Sequence, residues 1–392
     1  MTIAYNEKSL DELVINEKAA RALKKQLISK EEHAAIANAY RPDLYSPNVF
    51  IRIGLFILTA VIASMTYGLL FVMFDTFGIV LNNDSILFVI TLIFGVSCYA
   101  VLELMVQHSR HYRSGVDDAL LWMSLGFIVF DVSFYSHLTP LWTSVLIFIL
   151  SLAASIRFAN SVMSAVMFGS FICIIFFSIT PMGTIGKAIL PFVVMVISIC
   201  VYLLLLSNRH KTSLRHYRYC FIMLEVLSLV TTYVSVNYFV VRELSEMMFE
   251  LRLPADASIT GGWFFWFCTF FLPFLYIVRG LQTKDHVILR AGLLLIAATV
   301  FTFRYYYSVA PVEQIMVTGG IIMIIVAYAV MRYLQTPRYG ITDKPVYIEN
   351  IEGGLQVESL IVAETFNEVP APDEGFRFGG GSTGGGGATG QF

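Results

Sequence analysis

Charged side chains are scarce in this 392-residue chain. Asp, Glu, Lys and Arg make up 14% of the residues, whereas hydrophobic residues make up 57%. Soluble domains carry about a quarter charged and about half apolar residues. Between positions 50 and 333 hardly any polar stretch separates one apolar run from the next. This scarcity of charge excludes an ordinary soluble domain, because no such domain has an interior large enough to hide that much apolar surface.

Motifs of common metal centres and hydrolases are also missing. The chain has five cysteines, none of them in the C-x-x-C spacing of a metal or redox site, and all lie in or beside apolar stretches: Cys98, Cys173, Cys200, Cys220 and Cys268. No H-E-x-x-H, G-x-S-x-G or P-loop motif occurs. We therefore predict no catalytic residues, no metal and no cofactor.

Ten apolar stretches, most of them near 20 residues long, dominate what is present. A bilayer core of about 30 Å takes about 20 helical residues to cross. We predict an all-α integral membrane protein whose helical bundle covers residues 50–334, with short third and fourth spans. The predicted spans are 50–74, 86–106, 118–135, 140–156, 160–180, 185–206, 219–240, 262–280, 288–304 and 314–334.

Lysine and arginine are distributed unevenly among the connecting loops. The loops after the even-numbered spans hold ten of them, and the opposite loops hold four. Positively charged loops stay in the cytoplasm, so ten spans place both termini there. The first 49 residues are polar and lack the short apolar core of a signal peptide. We therefore expect the first span to direct membrane insertion.

The polar segment 1–49 carries two S-x-x-E patterns, Ser9 to Glu12 and Ser29 to Glu32. In this capping box the serine and the glutamate satisfy free amides at the start of a helix. Two short helices are therefore predicted, the second ending before Pro42 and Pro47. We expect a small cytoplasmic helical hairpin.

The segment 335–392 is predicted to be an acidic, mostly disordered cytoplasmic tail. Residues 337–392 hold three basic and eight acidic side chains, a balance of −5. Its middle alternates apolar and polar residues around Gly353 and Gly354 and could pair as a hairpin if its apolar face were covered. The glycine-rich end should be a flexible tether, and its residues Gly384, Gly387 and Phe392 are candidates for binding a protein partner.

Ionisable residues inside spans are costly and are therefore candidates for function. Glu103, Asp131, Glu225 and Arg290 form the candidate intramembrane polar site. Counting along the predicted helices at 1.5 Å per residue places Glu225 inside the cytoplasmic face, Glu103 nearer that face, and Asp131 near the outer one. The alternative interpretation is that they are interfacial groups or paired helix contacts.

A second candidate site is a rim of basic side chains on the cytoplasmic side, which could hold an anion or a lipid headgroup. Its members are His108, Arg110, His111, Arg113, Arg215 and Arg218. His108 and His111 would share a helix face one turn beyond Glu103 and could hold a metal, but H-x-x-H is a weak signal. The sorting of positive charge to the cytoplasm explains most of this rim without any ligand.

Two segments resemble known families. Residues 19–36, followed by Arg52-Ile-Gly54 and a run of membrane spans, resemble bacterial membrane proteins of domain-of-unknown-function family 2157. This resemblance implies a helical cytosolic head on many spans, and no established activity. The last residues, 384–392, are similar to the glycine-rich, aromatic-ended tails of bacterial TPM-domain proteins, which implies a membrane-bound partner that binds the tail.

These observations favour a non-enzymatic protein of the bacterial inner membrane. The leading hypothesis is an assembly or regulatory component that docks a protein partner through its head or tail, with the lipid bilayer as its other partner and no nucleic acid. The alternative is a transporter of small molecules or lipids that uses Glu225 and the basic rim. An intramembrane enzyme would need convergent polar groups inside the bundle.

Overall fold

A computed structural model describes most of the chain up to position 306. The described residues are 3–24, 27–76, 84–209, 211–249, 259, 261–283 and 285–306, with eight single helical positions between Gln314 and Arg332. They all belong to one unit, residues 1–343. Most of the tenth predicted span and the whole predicted tail, with Gly384, Gly387 and Phe392, lie outside the described residues.

Within the described residues the fold is all-helical, apart from one isolated β-bridge between Tyr45 and His111. The helices are α1 (Glu7–Lys24), α2 (Lys30–Ala39), α3 (Val49–Thr76), α4 (Asp84–Gln107), α5 (Val116–Tyr135), α6 (Pro140–Phe158), α7 (Ser161–Ile179), α8 (Gly183–Asn208), α9 (Arg218–Val236), α10 (Tyr238–Phe249), α11 (Gly262–Thr283) and α12 (His286–Tyr306).

Eight stretches of the described chain are long and apolar enough to cross a membrane. The longest has 48 residues, Ser161–Asn208, which as one straight helix would measure about 72 Å, over twice the apolar core of a bilayer. A 3-10 turn at Thr180–Met182 and a left-handed Gly183 divide it into α7 and α8. Both of these helices pack against α9, so the stretch folds back on itself. Each of the first nine predicted spans therefore coincides with a helix.

Helices that are neighbours in sequence pack as antiparallel hairpins, α4 with α5, α6 with α7, α8 with α9, and α11 with α12. Helix α9 also contacts α7, α10, α11 and α12. In its most apolar part 44% of the residues are buried, against 6% in α3. Small polar residues allow close approach, as where the hydroxyls of Ser155 and Ser164 lie 2.6 Å apart between α6 and α7.

One of the two predicted capping boxes is confirmed. Ser29 accepts a hydrogen bond from the Glu32 amide, and the Glu32 carboxylate accepts one from the Ser29 amide. The box at Ser9 is wrong, because Ser9 lies buried inside α1. Asn6 caps this helix instead, since its side-chain oxygen accepts from the Lys8 amide at 3.0 Å, and asparagine is as good an N-cap as serine.

The seventh predicted span ends earlier than expected. Asn237 interrupts the helix with an extended backbone, and its side-chain oxygen accepts from the amides of Phe239 and Val240 at 3.0 and 3.3 Å. An asparagine side chain offers the backbone this alternative to a continuous helix. The chain continues as the short amphipathic helix α10, which contacts α8, α9 and α11.

Candidate functional site

Helix α1 packs into one end of the bundle, which we call the head side; the opposite end is the far side. Tyr5 and Leu10 belong to a buried apolar cluster with residues of α4 to α7, namely Leu102, Val106, Tyr112, Leu120, Leu121, Ala154, Phe158 and Met163. The Ala4 amide donates a hydrogen bond to the Arg157 carbonyl at 2.8 Å. The first helix of the predicted head is therefore part of the bundle.

The loop between α4 and α5 is organised by one carboxylate. Asp117 accepts hydrogen bonds from the amides of Arg113, Ser114 and Gly115 at 2.8, 2.9 and 3.1 Å, and from the Ser114 hydroxyl at 3.0 Å. Gly115 has a φ of 93°, and a Cβ there would clash with the carbonyl oxygen of Arg52. The amides of the loop thus bind the side chain of Asp117, and the loop lies directly against α3.

Asp118, the next residue, joins three helices. Its Oδ2 accepts from Nε and Nη2 of Arg52 at 3.0 and 2.6 Å, and its Oδ1 accepts from the Asn160 amide nitrogen at 2.8 Å. Arg52 lies in α3 and Asn160 caps α7. Charge-assisted bonds of this kind are strong where water is scarce, so Asp118 anchors α3 to the head side.

Glu103 is fully engaged by neighbouring side chains. Its two carboxylate oxygens each accept a hydrogen bond from Arg157 of α6 at 3.0 Å. The Tyr99 hydroxyl and the Gln107 amide add bonds of 3.1 and 3.2 Å. This placement is that of a paired contact between α4 and α6, the alternative that the sequence left open for Glu103.

Part of the predicted basic rim is neutralised by the head. Arg110 forms an ion pair with Asp43, and Arg215 pairs with Asp11 at 2.7 Å. The guanidinium of Arg113 lies 4.1 Å from the centre of the Tyr219 ring, a cation–π contact. Arg218, the last predicted arginine of the rim, is the first residue of α9. Arg215 is thus paired with α1, and Arg110 with the segment between α2 and α3, so neither charge forms an open anion site.

The two histidines of the rim do not extend the helix face of Glu103, and this prediction is wrong. Helix α4 ends at Gln107, so His108 and His111 lie in the following loop. The Nδ1 of His111 lies 2.8 Å from the Ser114 hydroxyl, while His108 is exposed. In the part of the chain that the structure describes, no three His, Cys, Asp or Glu side chains are close enough together to hold a metal ion.

Burial alters two titratable groups of the head. Burial raises the pKa of Tyr5 well above its ordinary value, and the negative charge of Asp117 raises it further. Burial also raises the pKa of Glu17, although Arg21 and Arg113 act in the opposite direction. Groups whose charged forms are disfavoured in this way lie in a poorly hydrated contact, which agrees with the packing of α1 on the bundle.

Glu225 lies in a second ionic cluster on the head side, at the ends of α8, α9 and α12. The residue is 2% exposed, and its Oε1 has no hydrogen-bond partner among the described residues. Its Oε2 is 4.0 Å from Arg209, which hydrogen-bonds Asp285. Burial lowers the pKa of Arg209, but the bond to Asp285 and the negative charges of Asp285 and Glu225 together outweigh it, so the net pKa is raised. Two carboxylates thus share one guanidinium, and Glu225 is the less well paired of the two.

The other two candidates of the intramembrane site lie elsewhere. Asp131, near the far-side end of α5, is 0% exposed and neither of its oxygens has a hydrogen-bond partner among the described residues. Arg290 is an exposed residue in α12. Glu103, Asp131 and Glu225 have separate surroundings, so the structure does not bring the four predicted residues into one site.

A buried polar network on the far side was not predicted. The Asn237 amide nitrogen donates to the hydroxyls of Tyr233 and Thr302 at 2.9 and 3.1 Å, and Tyr233 and Thr299 share a bond of 2.9 Å. The Thr299 hydroxyl also donates to the carbonyl of Thr269 at 3.0 Å. The network joins α9, α11 and α12 by interhelical hydrogen bonds. The signal in the sequence was the four-residue spacing of Tyr233 and Asn237.

Comparison of this chain with protein families, with curated proteins and with solved structures found no match. The resemblances at residues 19–36 and 384–392 therefore stay predictions.

Proposed function

We propose that this chain is a docking component of the bacterial inner membrane, a multi-pass protein that holds a protein partner at the cytoplasmic surface. The described helices are compatible with a multi-pass membrane protein. The proposal adds ten spans, cytoplasmic termini and membership of domain-of-unknown-function family 2157. It also assigns no catalytic role to the chain.

The observation that carries this proposal is the contrast between the two helices of the head. Helix α1 buries Ser9, Leu10 and Ala19 and is tied to the bundle through Tyr5 and Asp11. Helix α2 buries none of its residues, although its capping box makes it a well-defined helix. Helix α2 packs on α1 and leaves most of its residues exposed. A helix anchored to the bundle therefore presents an ordered and largely uncovered helix, which is what a docking element requires.

The placement of the polar groups supports a non-enzymatic role. An active site needs a nucleophile, base or acid within hydrogen-bond reach of the same reacting atoms. Glu103 is held by Arg157, and Glu225 lies beside Arg209. His111 is bonded to Ser114. Glu103 and His111 are thus engaged by structural partners, and these two residues and Glu225 do not share a reaction centre.

Co-purification tests the docking proposal. The full-length protein, a version ending at Glu374 and a version with Ala35→Glu and Tyr40→Ser on α2 would be purified in parallel from native membranes. We expect a protein that accompanies the full-length chain to be lost with one of the two changes. Phe130→Leu, a substitution at an exposed residue of the membrane helix α5, serves as the matched control. Identical samples without a shared partner would contradict docking through either segment.

Transport is the second candidate function, and the burial of Glu225 favours it. A nearly buried carboxyl oxygen without a hydrogen-bond partner inside a membrane span is a costly feature that function often explains. If Glu225 takes part in transport, Glu225→Gln should abolish solute flux in proteoliposomes while the folded protein still inserts. Arg290→Gln, an exposed change on a neighbouring helix, should leave the flux intact. Unchanged flux in Glu225→Gln would remove this residue from the mechanism.

A further inference from the structure

Asp131 is the most completely enclosed carboxyl group among the described residues. It is 0% exposed, and neither Oδ1 nor Oδ2 has a hydrogen-bond donor there. Asp117, Asp118 and Glu103 each accept several bonds, and Glu225 has Arg209 4.0 Å away. Asp131 therefore differs from these four carboxyl groups in having neither a hydrogen-bond donor nor a paired cation among the described residues.

The contacts between α4 and α5 show what lies at the depth of Asp131. The rings of Phe88 in α4 and Tyr135 in α5 are 5.6 Å apart. Seven residues nearer the head side in each helix, Ile128 lies 3.0 Å from the position that a Cβ on Gly95 would take. Thr91 falls between these two contacts, at about the depth of Asp131. The packing of the two helices is therefore continuous across the level of the carboxyl group.

The groups around this level are neutral. The Thr91 hydroxyl shares a hydrogen bond of 2.9 Å with the Tyr67 hydroxyl of α3, and the rings of Phe94 and Phe127 pack on Tyr67. Of the helices packed against α5, the far half of α3 carries Tyr67 and Asp75 as its titratable groups. The far half of α4 carries Asp84, at its first residue, and the first half of α6 carries none.

A carboxylate without donors or a cation is strongly disfavoured in an apolar interior, and such a group neutralises by taking up a proton. We propose that Asp131 is a proton-binding site, with H+ as its ligand, enclosed by α3, α4 and α5 on the far side of the membrane. Release of the proton leaves a carboxylate that must reach water. Helix α3 is the least enclosed of the described membrane helices, with 6% of its most apolar part buried, so its separation from α4 and α5 is the expected route. This site is independent of the docking proposal and of Glu225.

Infrared spectroscopy of the full-length protein in lipid nanodiscs tests the protonation directly. A protonated side-chain carboxyl has a C=O stretching band that a carboxylate lacks. We expect Asp131→Asn to remove one such band at neutral pH, whereas the control Asp11→Asn, at a partly exposed carboxyl group that pairs with Arg215, should leave it. A spectrum in which Asp131→Asn removes only carboxylate intensity would overturn the proposal.

The pH dependence of thermal unfolding gives a second test. The folded protein holds a proton that the unfolded chain releases, so stability should fall as the pH rises. This fall should be smaller in Asp131→Asn and in Asp131→Leu, because neither can ionise, and unchanged in Asp11→Asn. Equal slopes in all four proteins would contradict the proposal. Stabilisation of the wild type by Na+ alone would also contradict it, because that result would identify a metal cation as the ligand. Failure of both neutral variants to fold would contradict it as well.

Discussion

Adding one methyl group at Gly115 tests the structure of the loop between α4 and α5. Its φ of 93° and its contact with Arg52 disfavour any side chain. We expect Gly115→Ala to lower the free energy of unfolding by about 2 kcal/mol or more. Gly126→Ala is the matched control, because a Cβ there meets no atom within 4 Å and alanine favours a helix by about 0.5 to 1 kcal/mol. Thermal unfolding in detergent compares the two, and equal midpoints would contradict the loop geometry.

The bidentate pair of Glu103 and Arg157 predicts a measurable coupling. A double-mutant cycle with Glu103→Gln and Arg157→Gln should give a coupling energy of about 1 kcal/mol, within the range found for residues in direct contact. Each substitution should cost more in the wild type than in the protein that already carries the other substitution, because in the wild type it leaves a charged partner unpaired. Additive effects on the unfolding free energy would show that the two side chains do not interact in the membrane.

At the scale of the residue, the sequence identifies which groups are unusual but not their partners. Glu103, Asp131 and Glu225 were predictable as ionisable residues within apolar helices. That Arg157 pairs with Glu103, while Asp131 has no described partner, depends on the facing of helices far apart in sequence. Asp117 and Asp118 escaped notice because two acids at a helix start fit the helix dipole without any further role.

At the scale of the element, α1 is held mainly by burial. Asp11 and Arg215 keep 40% and 53% of their side-chain surface exposed, and such pairs contribute about 0.2 to 1 kcal/mol. Truncating a buried aromatic residue costs about 3 to 5 kcal/mol. We therefore expect Tyr5→Ala to expose α1 to protease, whereas Asp11→Asn should do so only slightly.

The control for this prediction is Tyr5→Phe, which keeps the buried ring. Its proteolysis pattern should match the wild type, because no hydrogen bond of the Tyr5 hydroxyl is present among the described contacts. If Asp11→Asn released α1 as readily as Tyr5→Ala, the ion pair and not the apolar cluster would hold the helix.

Helix positions were largely predictable because runs of apolar residues leave few alternatives in a bilayer. The errors occurred where polar side chains compete for the backbone. Asn6 replaced Ser9 as the cap of α1, and Asn237 ended α9 early. The end of α4 at Gln107 likewise depended on the tertiary contacts of the next loop, in which the amide of Tyr45 bonds the Arg110 carbonyl at 2.9 Å. Local patterns do not contain these contacts.

At the scale of the whole molecule, the number of crossings determines the side of each terminus. The tenth predicted span lies mostly outside the described residues, so the location of the C terminus stays a prediction. Green fluorescent protein fused after Phe392 should fluoresce, because it folds in the cytoplasm and ten crossings return the chain there. A dark fusion together with active alkaline phosphatase at the same point would indicate an odd number of crossings.

The all-helical membrane bundle follows from composition and hydropathy, whereas the packing of α1 on its head side does not. The pattern of residues 1–49 predicted a helical hairpin without distinguishing its two helices, and the structure assigns them different environments. The decisive contacts, of Tyr5 with the cluster around Leu102 and of Asp11 with Arg215, join residues separated by about a hundred or two hundred positions. Single-sequence patterns are silent on such pairs.

Photocrosslinking from the head tests the docking account most directly. A photoreactive amino acid would be placed in native membranes at Ala35, exposed on α2, or at Ala19, buried in α1. The account predicts that Ala35 crosslinks to one discrete partner protein and that Ala19 crosslinks only within its own chain. Crosslinks from Ala35 to lipid or to its own chain alone, or the same partner captured from Ala19, would contradict it.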